Sequence, residues 1–155
     1  MSTAFRPLTP DEEMVVRAFA RVMHVLPRAI DADIQREGDL PLVGYTVLTR
    51  LSEAPGRHMR MTDLAAACEV SLSGMTRIVT RLEAQGLVDR VACDEDARGL
   101  NAFLTDAGLA RLEQARPAHL ASVRRHILDQ LEGVDLVQLA GALQRFATAD
   151  CPSAR

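Results

Sequence analysis

The sequence predicts a mainly α-helical protein carrying one small β-hairpin, and three observations predict it. Apolar residues recur at helical spacing over most of the 155 residues. The composition is aliphatic, with 48% hydrophobic residues, only 3% aromatic and no Trp, a mixture that packs helices more readily than sheets. One short stretch, 87–104, interrupts the helical rhythm with two β-type runs around a polar loop.

The first helix is announced by Thr9-Pro10-Asp11-Glu12: Thr9 as N-cap, Pro10 in the first helical position, and Glu12 closing a capping box. Val15, Phe19, Val22, Leu26, Ile30 and Ile34 then form one apolar stripe, ending before Gly38. Pro27 removes a backbone donor inside it and is expected to kink it. Pro41 opens a second helix through Val43, Val47, Leu48 and Leu51, stopped by Ala54-Pro55-Gly56. Thr62 is the expected cap of a short helix from Asp63 to Cys68, with Leu64, Ala65 and Cys68 facing inward. Ser71 caps the next, which runs to Gln85 with Gly86 as a left-handed stop.

Leu87 to Cys93 and Leu100 to Leu104 read as strands joined by Asp94-Glu95-Asp96-Ala97-Arg98-Gly99. Thr105 caps a long helix carrying Leu109, Leu112, Leu120, Val123, Ile127 and Leu131, with a bend expected at Pro117. Asp135 and Gln138 form the capping box of a last helix through Leu139, Leu143 and Phe146. The whole of 1–155 reads as a single unit, in which helices within 9–37 and 105–148 frame a lobe at 41–104.

Helix, tight turn, helix and two-stranded hairpin is the order of a winged helix-turn-helix. In the second helix of the pair, Met75, Ile78, Val79 and Leu82 share one face at i, i+3, i+4, i+7. The opposite face carries Ser73, Gly74, Thr76, Arg77 and Thr80. A helix entering a major groove needs such a face: small residues permit close approach, hydroxyls bond phosphates or base edges, and an Arg forks onto guanine. At the hairpin tip Asp96 is placed to hold Arg98 extended toward a narrow minor groove. An ordinary polar helix surface and a turn closed by Asp96 and Arg98 would leave the same residues, so the pattern acquires meaning from its order.

Bulk charge does not advertise a nucleic-acid partner. The net charge is −3, every basic residue is Arg, and 57–98 holds six arginines against seven acids. Binding to DNA therefore requires arginines turned to one face and acids turned away, and a steep salt dependence.

The stretch resembles the MarR family, the multiple-antibiotic-resistance regulators. The matching residues are Met61-Thr62-Asp63-Leu64-Ala65, Val70-Ser71-Leu72-Ser73-Gly74-Met75-Thr76-Arg77, Arg81-Leu82-Glu83-Ala84-Gln85-Gly86-Leu87-Val88-Asp89-Arg90, Asp94-Glu95-Asp96-Ala97-Arg98-Gly99 and Leu104-Thr105-Asp106-Ala107-Gly108. The resemblance implies a homodimer whose outer helices interleave, a recognition helix from Ser71, and a wing tipped by Arg98. It makes Ser71, Ser73, Gly74, Thr76, Arg77, Thr80, Arg81, Arg90, Asp96 and Arg98 the candidate contacts to double-stranded DNA. Gly74, which weakens a helix by up to about 1 kcal/mol relative to Ala, and the uncharged Ala97 and Asn101 depart from the more basic pattern of many relatives. The long apolar stripes of the outer helices agree with a dimer, whose recognition helices would sit about one DNA turn apart on a near-palindromic site.

The same resemblance implies a repressor released by a small phenolic or carboxylate inducer lodged between the outer helices and the DNA-binding lobe. His24, Tyr45 and Arg50 are the candidate ligand residues, although each reads more readily as an ordinary side chain, His24 and Arg50 on a helix surface and Tyr45 packed with its hydroxyl bonded. The usual peroxide-sensing cysteine of the family lies in the first helix, and residues 1–67 contain no Cys. Of Cys68, Cys93 and Cys151, the first reads as core and the last as tail, which leaves Cys93 at the wing base as the redox candidate. His119 and His126 share a helix face, but two histidines do not make a metal site. No cofactor is expected.

Other classes fit less well. No GxSxG, Gly-rich phosphate loop or HExxH occurs, so an enzyme is not expected. No apolar run approaches the length of a bilayer span and no signal-peptide pattern opens the chain, which points to the cytoplasm, as do odd, widely spaced cysteines. A winged-helix protein-interaction module without specific DNA binding is the alternative that the acidic balance would suit.

Overall fold

The computed structural model describes residues 6–38, 40–93 and 96–148, excluding the side chains of 37, 38, 92, 93, 96–99, 147 and 148. In chain order the elements are α1 (Pro10–Gly38), α2 (Leu42–Glu53), β1 (His58–Arg60), α3 (Met61–Ala67), α4 (Leu72–Ala84), β2 (Val88–Cys93), β3 (Asp96–Leu104), α5 (Asp106–His126) and α6 (Leu136–Thr148). Single 3-10 turns at Pro55–Arg57 and Leu128–Leu131 complete the chain order. The architecture is the expected one, mainly α with a small antiparallel sheet.

Local chemistry places the boundaries. The capping box of α1 is reciprocal: Glu12 N donates to Thr9 Oγ1 at 3.2 Å, and Thr9 N donates to Glu12 Oε2 at 2.8 Å. That bond holds the Glu12 carboxyl below its usual range. Ser71 and Thr105 cap α4 and α5 by accepting from Gly74 N at 3.1 Å and Gly108 N at 2.9 Å. Asp135 accepts from Val137 N and Gln138 N at the start of α6. The start of α2 has no cap from its own neighbours. Asp31 of α1 supplies it, accepting from Leu42 N at 2.6 Å. Both α1 and α5 continue through their internal prolines, Pro27 and Pro117.

Four boundaries differ from the sequence reading, the simplest being that β3 begins at Asp96, inside the expected loop of 94–99, and not at Leu100. Strand β1 was not anticipated; it pairs antiparallel with β3, giving the sheet order β1-β3-β2, with His58 opposite Phe103 and Arg60 opposite Asn101. Because β1 runs directly into α3, the helix begins at Met61, which is buried, and Thr62 sits inside it instead of capping it. Helix α5 stops at His126, so Leu131 lies in the 3-10 turn beyond it; the left-handed Gly133 (φ +79) follows.

The core joins the two parts. Leu48, Leu51, Leu64, Met75, Val79, Val88 and Leu104 are fully buried within the lobe, and Ile34 of α1 and Leu112 of α5 belong to the same cluster. Gly108 brings α5 against the lobe's backbone, so close that a Cβ there would stand 2.0 Å from the Leu87 carbonyl oxygen. Thr105 ties the same corner, donating its hydroxyl to the Gly86 carbonyl at 2.7 Å.

Away from this junction the outer helices are uncovered. Met14, Val15, Val16, Phe19, Val22 and Met23 of α1 are exposed, as are Leu136, Val137, Leu143 and Phe146 of α6. Among the described residues no helix is long and apolar enough to cross a membrane.

Candidate nucleic-acid interface

The α3–α4 pair forms a helix-turn-helix with a short turn at Cys68–Ser71. Glu69 adopts the left-handed region (φ +54), and Val70 N donates back to Ala65 O at 3.0 Å. Helix α4 then follows with the anticipated polarity. Met75 and Val79 are fully buried, Leu82 nearly so, and Ile78 packs against the same cluster.

Ser73, Thr76, Arg77, Thr80 and Arg81 are exposed, with Gly74 partly so. The Ser71 and Ser73 hydroxyls lie 3.2 Å apart. Gly74 has a local reason, since a Cβ there would lie 3.2 Å from Ser71 Oγ and crowd the cap.

The hydroxyls are partly committed. Thr76 donates to Leu72 O at 2.9 Å and Thr80 to Thr76 O at 2.8 Å, so each offers outward an acceptor lone pair and a methyl group. That chemistry suits a base amino group or a thymine methyl better than a phosphate, which only accepts. Arg77 and Arg81 form no ion pair with any described residue.

Arg90 is set differently. It stands opposite the buried Ala102, on the sheet face that α4 covers, and donates to Glu83 near the end of α4. The pair holds the Glu83 carboxyl below its usual range and raises Arg90. Arg57 is likewise engaged, with Asp106 at 2.9 Å.

The backbone of 96–98 belongs to β3, but the expected contact between Asp96 and Arg98 lies outside the described side chains, and Asp94 and Glu95 outside the described residues. The Cys93 side chain and Cys151 are outside them as well.

The three candidate ligand residues occupy separate settings. His24 is exposed on α1. Tyr45 is buried and stacks on His119, ring centroids 4.3 Å apart. Arg50 lines a cleft of about 750 Å³ with His58, Arg60 and Asp63, and neither His24 nor Tyr45 borders it. Five residues along a helix turn side chains apart by about 140°, so Tyr45 and Arg50 face different ways.

His119, for which the sequence suggests no role beyond metal binding, is the ring that Tyr45 meets. Burial lowers its pKa, raises that of Tyr45, and leaves the His119 Nδ1 without a hydrogen-bond partner among the described residues. His126 bonds Asp33 instead, and no cluster of three or more potential metal-binding residues occurs among the described residues. Burial also raises the Cys68 thiol.

Known proteins share this arrangement. The MarR family profile matches residues 39–99. A solved structure of Sco3205, a MarR family transcriptional regulator from Streptomyces coelicolor in complex with DNA, superposes with a TM-score of 0.90. It is 34% identical, and the match covers 98% of this chain and 95% of that one. The chain belongs to the MarR family of transcriptional regulators.

A second member of the family from the same organism, AbsC, is 40% identical over 92% of this chain and 96% of its own, with a TM-score of 0.84. The HTH-type transcriptional repressor YetL of Bacillus subtilis is 32% identical over 79 residues, a match spanning 51% of this chain and 47% of YetL. Within this MarR family member, the match by family profile ends at residue 99 and therefore includes α3, α4 and β2.

Proposed function

We propose that this protein is a transcriptional repressor that binds a near-palindromic operator as a homodimer, with α4 of each subunit in the major groove. The observation that carries the reading is the division of α4. Its apolar face is locked into the core, while Arg77, Arg81, Ser73, Thr76 and Thr80 stand together in solvent, and among the described residues no acid pairs with either arginine. The structure of Sco3205 with DNA and the repressor YetL support the same role.

The homodimer is supported by the uncovered apolar faces of α1 and α6. Monomeric proteins rarely leave contiguous apolar surface of this kind in water. Phe19 and Phe146, whose rings meet at 5.1 Å, link the two faces. A two-fold axis through this surface would set two α4 helices against successive major grooves, about 34 Å apart.

Release by a small phenolic or carboxylate inducer completes the proposal. A second cleft, of about 470 Å³, lies between α1 and α2, lined by Pro27, Leu42, Val43 and Cys68, with Arg28 at hand and the Asp31 carboxylate already bonded by Leu42 N and Gln35. An apolar wall beside a guanidinium is the chemistry that takes an aromatic carboxylate.

Fluorescence anisotropy on DNA flanking the gene, with a scrambled duplex as control, tests the reading. Specific binding should weaken steeply with salt. Arg77→Ala should cost about 1–3 kcal/mol if Arg77 reads a base. Equal affinity of wild type and Arg77→Ala for every duplex that binds would refute the assignment of α4.

A further inference from the structure

The end of α4 and the start of β2 form a corner that is held three ways. Gly86 takes a left-handed φ of +70, which lets the chain reverse. Gly86 N then donates to Glu83 O, and Leu87 N to Leu82 O, each at 2.9 Å. The third tie is made by side chains. Arg90, seven residues beyond Glu83, reaches back across the corner and bonds its carboxylate.

The register of the sheet explains why this tie exists. Val88 and Arg90 share the face of β2 that turns toward α4, opposite Leu104 and Ala102, and Val88, Leu104 and Ala102 are all fully buried. A guanidinium rising from that face meets the last turn of α4 before it meets solvent. The Arg90 side chain is accordingly only 28% exposed and that of Glu83 34%. By contrast Arg77 and Arg81, on the outward face of the same helix, pair with no described residue.

We propose that Glu83 and Arg90 form a strut that fixes the angle between α4 and the wing, which makes Arg90 a positioning residue and not a DNA contact. The inference rests on the reading of this lobe as a DNA reader. A helix in the major groove and a wing in the neighbouring minor groove must hold a fixed relation for both to engage. A small rotation at the corner is multiplied along the 13 residues of α4, about 20 Å of helix. The residues farthest from the corner, Ser71, Ser73 and Thr76, move most.

Simple electrostatics predicts the opposite sign for Glu83. An acid on a DNA-binding lobe repels phosphate, so its removal should tighten binding and should also free Arg90 to reach the backbone. The strut predicts a weaker and less selective complex from the same substitution. Glu83→Gln keeps the shape of the side chain and removes only the charge, which makes it the informative variant.

The experiment uses the full chain and a duplex that the wild-type protein selects from a random library, with a scrambled duplex as control. Glu83→Gln and Arg90→Gln should each lose about three- to tenfold affinity for the selected duplex, and the double variant should lose no more than either single one. Binding to the scrambled duplex should stay within twofold, about the scatter expected of a surface change. Arg90→Gln should leave the slope of log K against log salt unchanged, whereas loss of a phosphate contact lowers it by about 0.9.

Tighter binding of the selected duplex by Glu83→Gln overturns the strut while leaving the DNA reading intact. A slope reduced by about 0.9 in Arg90→Gln, with Glu83→Gln neutral, also overturns it and makes Arg90 a phosphate contact. If the wild-type protein enriches no duplex at all, the DNA reading fails, and the strut fails with it.

Discussion

Replacing Gly108 by Ala should destabilise the protein, although in an isolated helix the same change would stabilise it. Gly108 lies in the first turn of α5, where Ala is favoured over Gly by roughly 1 kcal/mol. Here a Cβ would stand 2.0 Å from the Leu87 carbonyl oxygen, 2.7 Å from Leu104 Cδ1 and 3.0 Å from the Leu87 carbonyl carbon. Two of those three atoms are backbone and cannot rotate away. Leu87 is pinned by its own bonds, since its carbonyl accepts from Thr105 N at 3.2 Å and its N–H donates to Leu82 O.

Relief therefore requires α5 to back away by more than an ångström. Overpacking of this kind costs about 1–3 kcal/mol, and losing the Thr105 cap adds about 1 kcal/mol. The propensity gain of roughly 1 kcal/mol offsets part of that, leaving a net loss of about 1–3 kcal/mol. For a chain of this length that corresponds to a fall in Tm of about 2–12 °C. Urea denaturation at fixed protomer concentration measures it, because the stability of the proposed dimer would depend on concentration. A Gly108→Ala variant as stable as wild type, or more so, would show that α5 does not press on Leu87 as described.

Three further outcomes follow from the same geometry. Asp33, buried on α1, accepts from Ser122 and His126 of α5 at 2.9 Å each and from Arg36 and Arg125; these bonds, Ser122's first, hold its carboxyl down from 3.8 to about 2. A depressed folded value gives stability that is complete above the unfolded value and is lost as pH falls toward about 2, so the urea midpoint should drop across that window in wild type and less in Asp33→Asn; parallel curves would refute it. Glu69→Gly should raise stability by up to about 1 kcal/mol, because relief of a left-handed non-glycine residue exceeds the added entropy of glycine; a lower Tm would contradict the strain at the turn. Ser71→Ala should cost about 1 kcal/mol through loss of the cap on Gly74 N, read by thermal melting, and an unchanged melt would deny Ser71 that role.

What could be read in the sequence was what depends on neighbours in the chain. The caps at Thr9, Ser71, Thr105 and Asp135, the left-handed Gly86 and the buried face of α4 are all local, and each stands where its residues put it. The strand β1 could not be read, because three residues carry no period; it exists because β3 offers a free edge. The Asp33 cluster was equally hidden, since its α5 partners are 89 to 93 residues away. Arg90 is the instructive case. The sequence counts it among the basic residues of the lobe, and only the register of β2 against β3 reveals that it points at α4.

That distinction resolves the difficulty posed by a net charge of −3. Charge counted along the chain treats every arginine as available and every acid as repulsive, and neither holds in the folded protein. Glu12, Glu13, Asp33, Glu53, Glu83, Asp106 and Glu113 each face an arginine of their own subunit. The exposed pairs among them contribute little to stability, but every pair, exposed or not, removes one acid and one arginine from the far field. Within α4 the only acid is Glu83, and Arg90 neutralises it. What α4 presents outward is then Arg77 and Arg81 beside three small hydroxyl side chains, a positive face on an acidic protein. On the proposed reading, the attraction that would bring DNA to this helix is set by which charges are left over after internal pairing, and the ion pairs decide that as much as the arginines do.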